Sequence, residues 1–539
     1  METGIALDLG TSGFRAQCLD LREEEVVSTA ITMGHPLPGA NVMDHLHFAI
    51  ECGKELAHHL ILSAVYKLLR ALEVDAKSIK RMAVCGNPIQ LSLLQNEEIR
   101  DLAYSEDFVK RHGITALERD GKVLAAEKIG LKILNAELYV PPAVKHAIGA
   151  DSLAMVVKSG FLNAKGPTLV TDYGTNAQMA LKVKDEIITG SAAAGPAIEG
   201  QQIEQGMLAA PGAISDLRFD FGWRCYVLDD EMFSKPGDIV DLRNGHAKEK
   251  GLMHGKAKGV TGTGVVATVA IGLLSGLISL PRINSHTHKL HLQDGVTFTE
   301  DDLKEAGKAF GAIRAGHLTM AEHLGISLEE LSSMYMAGAS GTYVDPVKAQ
   351  VVGMVPLTAR TAYQVGNTSL ALAGDLVKDP EILDYLQKLA EELRPKHVMF
   401  ATSEVFKNVY VQELAYWNEG MPLSKYNELL GMLGIQRLSV KRSELEVKRI
   451  VERDIPVIGK KGLRILRDVG TTLLGKFDGC TGCNICVMKC PKRAIKIVEA
   501  GDRYHVTVES HVCNGFGCLK CVSVCPAKVF RFNELGIAC

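Results

Sequence analysis

Eight of the chain's thirteen cysteines lie near its C-terminal end in two tandem runs, each closed by Cys-Pro. They are Cys480, Cys483, Cys486 and Cys490 before Pro491, then Cys513, Cys518, Cys521 and Cys525 before Pro526. Thiolates separated by two residues let one tight loop wrap three corners of a cubane. The fourth cysteine, carried off by the proline, reaches the neighbouring cluster in two-cluster ferredoxins. The spacing therefore predicts a small α+β module with two [4Fe-4S] clusters, one on Cys480, Cys483, Cys486 and Cys525, the other on Cys513, Cys518, Cys521 and Cys490. Four residues, Asn514 to Gly517, separate Cys513 from Cys518 where two are usual, and they read as a loose loop. Zinc is the alternative for paired cysteines, but a zinc site needs no crossed fourth thiol.

Length and composition bound the remainder. At 539 residues, with 47% hydrophobic and 23% charged residues, the chain has material for three or four globular domains. A net charge of -3 with no basic stripe argues against a nucleic-acid partner. The first residues enter an apolar strand with no leader-like pattern, and Gly259 to Leu280, apolar but rich in glycine, reads as a buried helix rather than a membrane span. Cys18, Cys52, Cys85, Cys225 and Cys539 are scattered and odd in number, which suits buried thiols in a reducing cytoplasm.

A second pattern recurs at wide interval. Strand-like Ile5-Ala6-Leu7 runs into Asp8-Leu9-Gly10-Thr11-Ser12-Gly13 and a further strand to Leu19. Thr168 to Thr171 runs into Asp172-Tyr173-Gly174-Thr175-Asn176 and a strand from Ala177 to Val183. Glycine admits backbone N–H groups to phosphate oxygens, hydroxyls and amides add donors, and aspartate suits hydrated Mg2+. A third piece, Leu331 to Ala337 leading into Gly338-Ala339-Ser340-Gly341, offers a bare turn against which a purine and ribose can lie. The expectation is ATP with Mg2+ held between two similar lobes.

These three turns together resemble the phosphate and adenosine motifs of the acetate kinase, sugar kinase, Hsp70 and actin superfamily. With Ser191 to Gly200, Gly262-Thr263-Gly264, Lys308 to Gly316 and Tyr343 to Pro346 in order, residues 3 to 420 resemble the reductive activators of corrinoid enzymes. The resemblance implies an α/β fold with a two-lobed actin/Hsp70/sugar-kinase-like ATPase core and, here, a C-terminal rather than N-terminal iron-sulfur module. It implies ATP-dependent one-electron reduction of Co(II) to Co(I) on a corrinoid protein of a methylamine or other methyltransferase, fed by a low-potential electron donor. Asp8, Asp172 and Glu199 are the implied catalytic carboxylates. Gly10, Thr11, Ser12, Arg15, Gly174, Thr175, Asn176, Gly195, Lys308, Gly338 and Gly341 are the implied nucleotide contacts.

Rival readings are an electron injector for another acceptor such as a radical dehydratase, a small-molecule kinase with an iron-sulfur sensor, and a non-catalytic ATP-binding scaffold. The expected organisation is a first lobe over 1–165 with an inserted segment near 101–140, a second lobe over 166–420, a connector over 421–470 and a ferredoxin domain over 471–539. The connector, rich in charge around Lys441 to Arg449, is expected to be small and helical. A chain cut near Gly462 is expected to separate the two modules. His45, His47, His58 and His59 are expected on a packed helix face, and His286, His288 and His291 on an exposed strand edge.

Overall fold

The computed structural model describes residues 2–537 except 105, 134, 146, 147, 175, 195–201 and 502. The chain divides into two compact units, one of residues 1–153, 369–391 and 457–539, the other of residues 154–368 and 392–456.

In the first unit, β1 (Thr3–Gly10), β2 (Gly13–Asp20) and β3 (Val26–Thr32) form an antiparallel meander, with β4 (Ile79–Gly86) parallel to β1. Every residue of β1 from Thr3 to Leu9 is buried, as a strand covered on both faces requires. α1 (Val42–Glu51) follows the meander, and α2 (Lys54–Ala71) packs its Ala57, Leu60, Ala64 and Leu68 inward against β2 and β3. The helix Thr368–Lys378 approaches β1 so closely that a Cβ on Gly4 would strike Val377.

Three boundaries differ from the sequence reading. Residues 369–391, expected in the second lobe, belong to the first unit. The segment near 101–140 is no separate insert, because β5 (Lys122–Ala125) and β6 (Glu137–Val140) complete one edge of the sheet, with β6 parallel to β4. The connector is only partly helical: Leu423–Met432 is a helix, but Leu463–Leu466 is a strand parallel to β3 at the opposite edge. A cut near Gly462 would therefore strip a strand from this unit.

The second unit repeats the plan. β7 (Thr168–Tyr173), β8 (Ala177–Val183) and β9 (Glu186–Ala192) form an antiparallel meander, and strands Ser333–Ala337 and Thr361–Gly366 follow in parallel beyond β7. The charged stretch Glu446–Arg449 closes that edge as an exposed strand, and charge there discourages further strand pairing. The long helix Glu300–His323 covers β8 and β9, starting from a capping box between Thr299 and Asp302. The apolar run after Gly259 is a 13-residue helix, Gly262–Leu274, capped by Thr261 and buried from Gly264 to Gly272. Among the described residues no helix is long and apolar enough to cross a membrane.

Residues 472–537 form the C-terminal module within the first unit. Its four-stranded antiparallel sheet runs Ile495–Ala500, Arg503–Glu509, Thr472–Gly475 and Gly536–Ile537 in spatial order.

Candidate functional site

The first Asp-Gly turn is set by strand register. Gly10 stands opposite Gly13 with Thr11 and Ser12 at the tip, and a Cβ on Gly10 would lie 2.9 Å from the Gly13 carbonyl oxygen, so only glycine closes the hairpin this tightly. Asp8 faces Arg15 across β1 and β2, and Arg15 Nη1 lies 3.3 Å from Asp8 Oδ2. Arg15 thus serves first as the partner of a buried carboxylate, its own side chain 21% exposed beside the turn. Asn87 holds the tip from below. As N-cap of α3 (Pro88–Leu94), its Oδ1 accepts from Gln90 N while its Nδ2 donates to Thr11 Oγ1 at 3.2 Å. This support from Asn87 was not foreseen, although Asn before Pro at a helix start marks a cap in sequence.

In the second unit the strand Ser333–Ala337 lies beside β7 with Ala337 in register with Asp172. Gly338 turns away with φ +79°, and a Cβ there would collide with Asp172 Oδ1. The structure thereby brings the Asp172 carboxylate and the bare turn Gly338–Gly341 together. Gln364, fully buried, holds this turn: its Nε2 donates to the carbonyls of Gly341, Thr342 and Val344 at 2.8–2.9 Å. Arg449, from the charged edge strand, donates to Gln364 Oε1 at 3.1 Å. A lone glutamine within the apolar run Ala362 to Val365 was the overlooked signal. Gly174 and Asn176 flank the tip of the β7–β8 hairpin. Lys308 lies on the helix Glu300–His323, 46% exposed, and pairs with Glu305 at 2.6 Å. Thr175, Gly195 and Glu199 lie outside the described residues.

The eight cysteines are free thiols, sorted in space in two groups. Cys480, Cys483, Cys486 and Cys525 line one cleft with Phe477, Ile497, Val506, Pro526, Val529 and Phe530. Burial raises the Cys525 thiol, but the amides of Phe530, Val529, Ala527 and Lys528 outweigh it and draw it below its ordinary value, an environment that favours a thiolate. Cys490, Cys513, Cys518 and Cys521 form the second group. Burial pushes Cys513 up to about 11, with Cys490 and Cys518 adding to the rise, and pushes Cys521 up to about 12, with Cys513 and Cys518 adding. Backbone amides point at sulfur in this group too: Ala494 N to Cys490 Sγ at 3.3 Å and Gly515 N to Cys513 Sγ at 3.4 Å.

These donors fit [4Fe-4S] clusters. Soft thiolates grouped by four, with amides directed at sulfur, are the usual holders of such clusters. They fit zinc poorly. Thiolates of a zinc tetrahedron sit about 3.8 Å apart, whereas among the described residues no three cysteine sulfurs converge within 4.8 Å.

The loop after Cys513 is not loose. Gly515–Gly517 forms a 3-10 turn seated against α1, where a Cβ on Gly515 would lie 3.0 Å from the Pro38 carbonyl oxygen and one on Gly517 2.9 Å from Asp44 Oδ1. Asp238, His254 and Asp294 bring ligand-type atoms within 4.8 Å of one another. Both carboxylates accept amides of the 251–257 loop, so the group serves to fasten that loop. His45 is buried within α1, and His291 bonds Thr287 at 2.7 Å beside exposed His288.

Three family descriptions match the chain. Residues 3–164 match the RACo middle region, residues 166–427 the C-terminal domain of RACo, the ASKHA domain, and residues 479–529 the 4Fe-4S dicluster domain. The "[Co(II) methylated amine-specific corrinoid protein] reductase" of Methanosarcina barkeri is 48% identical over 518 residues, 95% of each chain. The "Corrinoid activation enzyme RamQ" of Eubacterium limosum is 23% identical over 66% of this chain and 60% of its own length. A solved "Reductive activator for corrinoid,iron-sulfur protein" shares the fold, with TM-score 0.60 and 22% identity over 77% of this chain and 66% of that one. On the strength of the near full-length match, the chain belongs to the family of corrinoid-protein reductive activators, with an ASKHA ATPase core and a dicluster ferredoxin module.

Proposed function

We propose that this protein is an ATP-dependent reductase that returns the Co(II) corrinoid of a methylated-amine-specific methyltransferase protein to Co(I). The reaction adds one electron to cobalt, taken from a low-potential donor. Bound [4Fe-4S] clusters supply one-electron carriers. Bound Mg-ATP supplies drive, which the step needs because each 100 mV uphill costs a single electron about 2.3 kcal/mol.

The chain's own residues divide the work. Cys480, Cys483, Cys486 and Cys525 hold one cluster, Cys490, Cys513, Cys518 and Cys521 the other, with the directed amides lowering the charge cost at sulfur. Asp8 and Asp172 provide carboxylates for Mg2+. Gly10, Thr11, Ser12 and Arg15 receive phosphate oxygens at the first turn, and Gly174, Thr175 and Asn176 do so at the second. Gly338 and Gly341 leave room for adenosine, the turn being fixed by Gln364. Lys308, accessible on its helix, and Gly195 are further nucleotide contacts, and Glu199 positions water or Mg2+. The cytoplasm, which keeps thiols reduced, is the compartment these free cysteines suit.

The observation that carries the reading is the sorting of eight thiols into two groups of four, in the same unit as the Asp8 turn. Iron and sulfide analysis of anaerobically purified protein, joined to ATP titration, tests it. About eight irons per chain and saturable ATP binding are expected; zinc without sulfide would overturn the assignment.

A further inference from the structure

A run of hydrogen bonds, part-buried at its start and buried beyond Gln90, leads by way of loop 36–39 from the Thr11 turn to the loop that carries Cys513. It begins at Thr11 Oγ1, which accepts from Asn87 Nδ2, and passes through the Asn87 cap to Gln90 N at 3.0 Å. Gln90 is fully buried and joins two histidines: His35 Nε2 donates to its Oε1 at 3.0 Å, and its Nε2 donates to His45 Nδ1 at 3.0 Å. Leu37 N donates to His35 Nδ1 at 3.1 Å, which leaves each imidazole one consistent neutral tautomer. The two rings stack with centroids 3.8 Å apart, and His45 Nε2 has no partner among the described residues although fully buried. Burial of both rings holds their pKa values low, His45 at about 3, so the pair stays uncharged.

The path leaves the histidines through loop 36–39. Ser510 Oγ donates to Pro36 O at 2.7 Å, and Gly39 N donates to Cys513 O at 2.9 Å. Gly515, whose amide points at Cys513 Sγ, sits on the Pro38–Gly39 backbone. Phe516 and Phe48 both pack edge-on against Phe532, which fastens the same loop to α1. A shift of loop 36–39 must therefore disturb an amide-to-sulfur bond, and such bonds, with solvent exposure, set cluster potentials.

We propose that Gln90, His35 and His45 are positioning residues that couple occupancy of the Thr11 turn to the Cys513 loop, so that bound nucleotide shifts the reduction potential at the Cys490–Cys513–Cys518–Cys521 site. The coupling is reciprocal: ATP must then bind the oxidised and reduced protein with different affinities. It rests on the proposed nucleotide and cluster sites, and its test separates the two.

The full-length protein is titrated with reductant under EPR, with and without Mg-ATP, alongside Gln90→Met and Ser510→Ala. In the wild type one potential shifts on adding ATP; a tenfold affinity difference between oxidation states corresponds to about 59 mV for one electron. In both variants the shift is lost, while iron content and ATP affinity of the oxidised protein stay within about twofold of wild type. Should Gln90→Met fail to fold, Ser510→Ala, which removes the bond to Pro36 O at the far end of the path together with the one that Ser510 Oγ accepts from Thr471 N, decides alone. An unchanged shift in the folded variants, or none in the wild type, overturns the coupling. Absence of iron or of ATP binding instead removes the underlying reading, and the coupling with it.

Discussion

Replacing Gly338 by alanine tests how the second unit builds its proposed nucleotide turn. Two costs are separable. The residue has φ +79°, where a Cβ costs about 1–2 kcal/mol from local sterics alone. Its Cβ would also collide with Asp172 Oδ1 and lie 3.3 Å from Oδ2, so the carboxylate must move. If that carboxylate serves Mg-ATP, losing a charged contact removes about 1.5–3 kcal/mol of binding, roughly ten- to hundredfold in Kd. Gly276→Ala is the control, with φ +71° and nothing within 4 Å of its Cβ, so it carries the backbone cost alone. Calorimetric ATP titration of both variants, with thermal melts, separates the effects. The expectation is similar destabilisation in both and a large affinity loss only in Gly338→Ala. A Kd within twofold of wild type for Gly338→Ala would refute the placement of Asp172 at the nucleotide.

Other consequences can be measured directly. Asp8→Asn and Asp172→Asn are each expected to abolish ATP-dependent reduction while leaving iron content intact; wild-type rates in both would move the nucleotide elsewhere. Cys490→Ala should remove the EPR signal of the cluster shared with Cys513, Cys518 and Cys521, and loss of the cluster at Cys480 instead would contradict the grouping. Truncation after Val469 should give a soluble, ATP-binding protein without reductase activity, whereas truncation at 460 removes the strand Leu463–Leu466 and should melt earlier; equal melting would show that strand to be dispensable. His45, held at about 3 by burial, binds its proton in the unfolded chain near 6.5. Stability is therefore full above that value and falls as pH drops through the window from 6.5 to 3, by about 2 kcal/mol at pH 5 from this residue; a denaturation midpoint unchanged between pH 7 and 5 would contradict its burial.

What could be read from sequence was what is local. The cysteine runs and the Asp-Gly hairpins declare themselves because their ligand spacing and turn chemistry lie within a few residues, and the strands flanking each turn pair as expected. What could not be read depends on distant partners. Asn514 to Gly517 has the composition of a free loop, and only packing against Pro38, Gly39 and Asp44 makes it a fixed turn. Glu446–Arg449 has no apolar period, so its strand exists through backbone pairing with Thr361–Gly366. Gln90 and Gln364 look unremarkable in sequence, yet each is fully buried with both ends of its amide bonded. The 101–140 stretch hid two strands because they are short, and β5 only alternates between half-buried and exposed.

The most direct test mixes the anaerobic protein with a Co(II) methylated-amine corrinoid protein and a strong reductant, adding ATP while visible spectra are recorded. Co(I) bands are expected to appear only when ATP and intact cluster sites are both present. Equal Co(I) formation without ATP, or with a chain truncated after Val469, would contradict it.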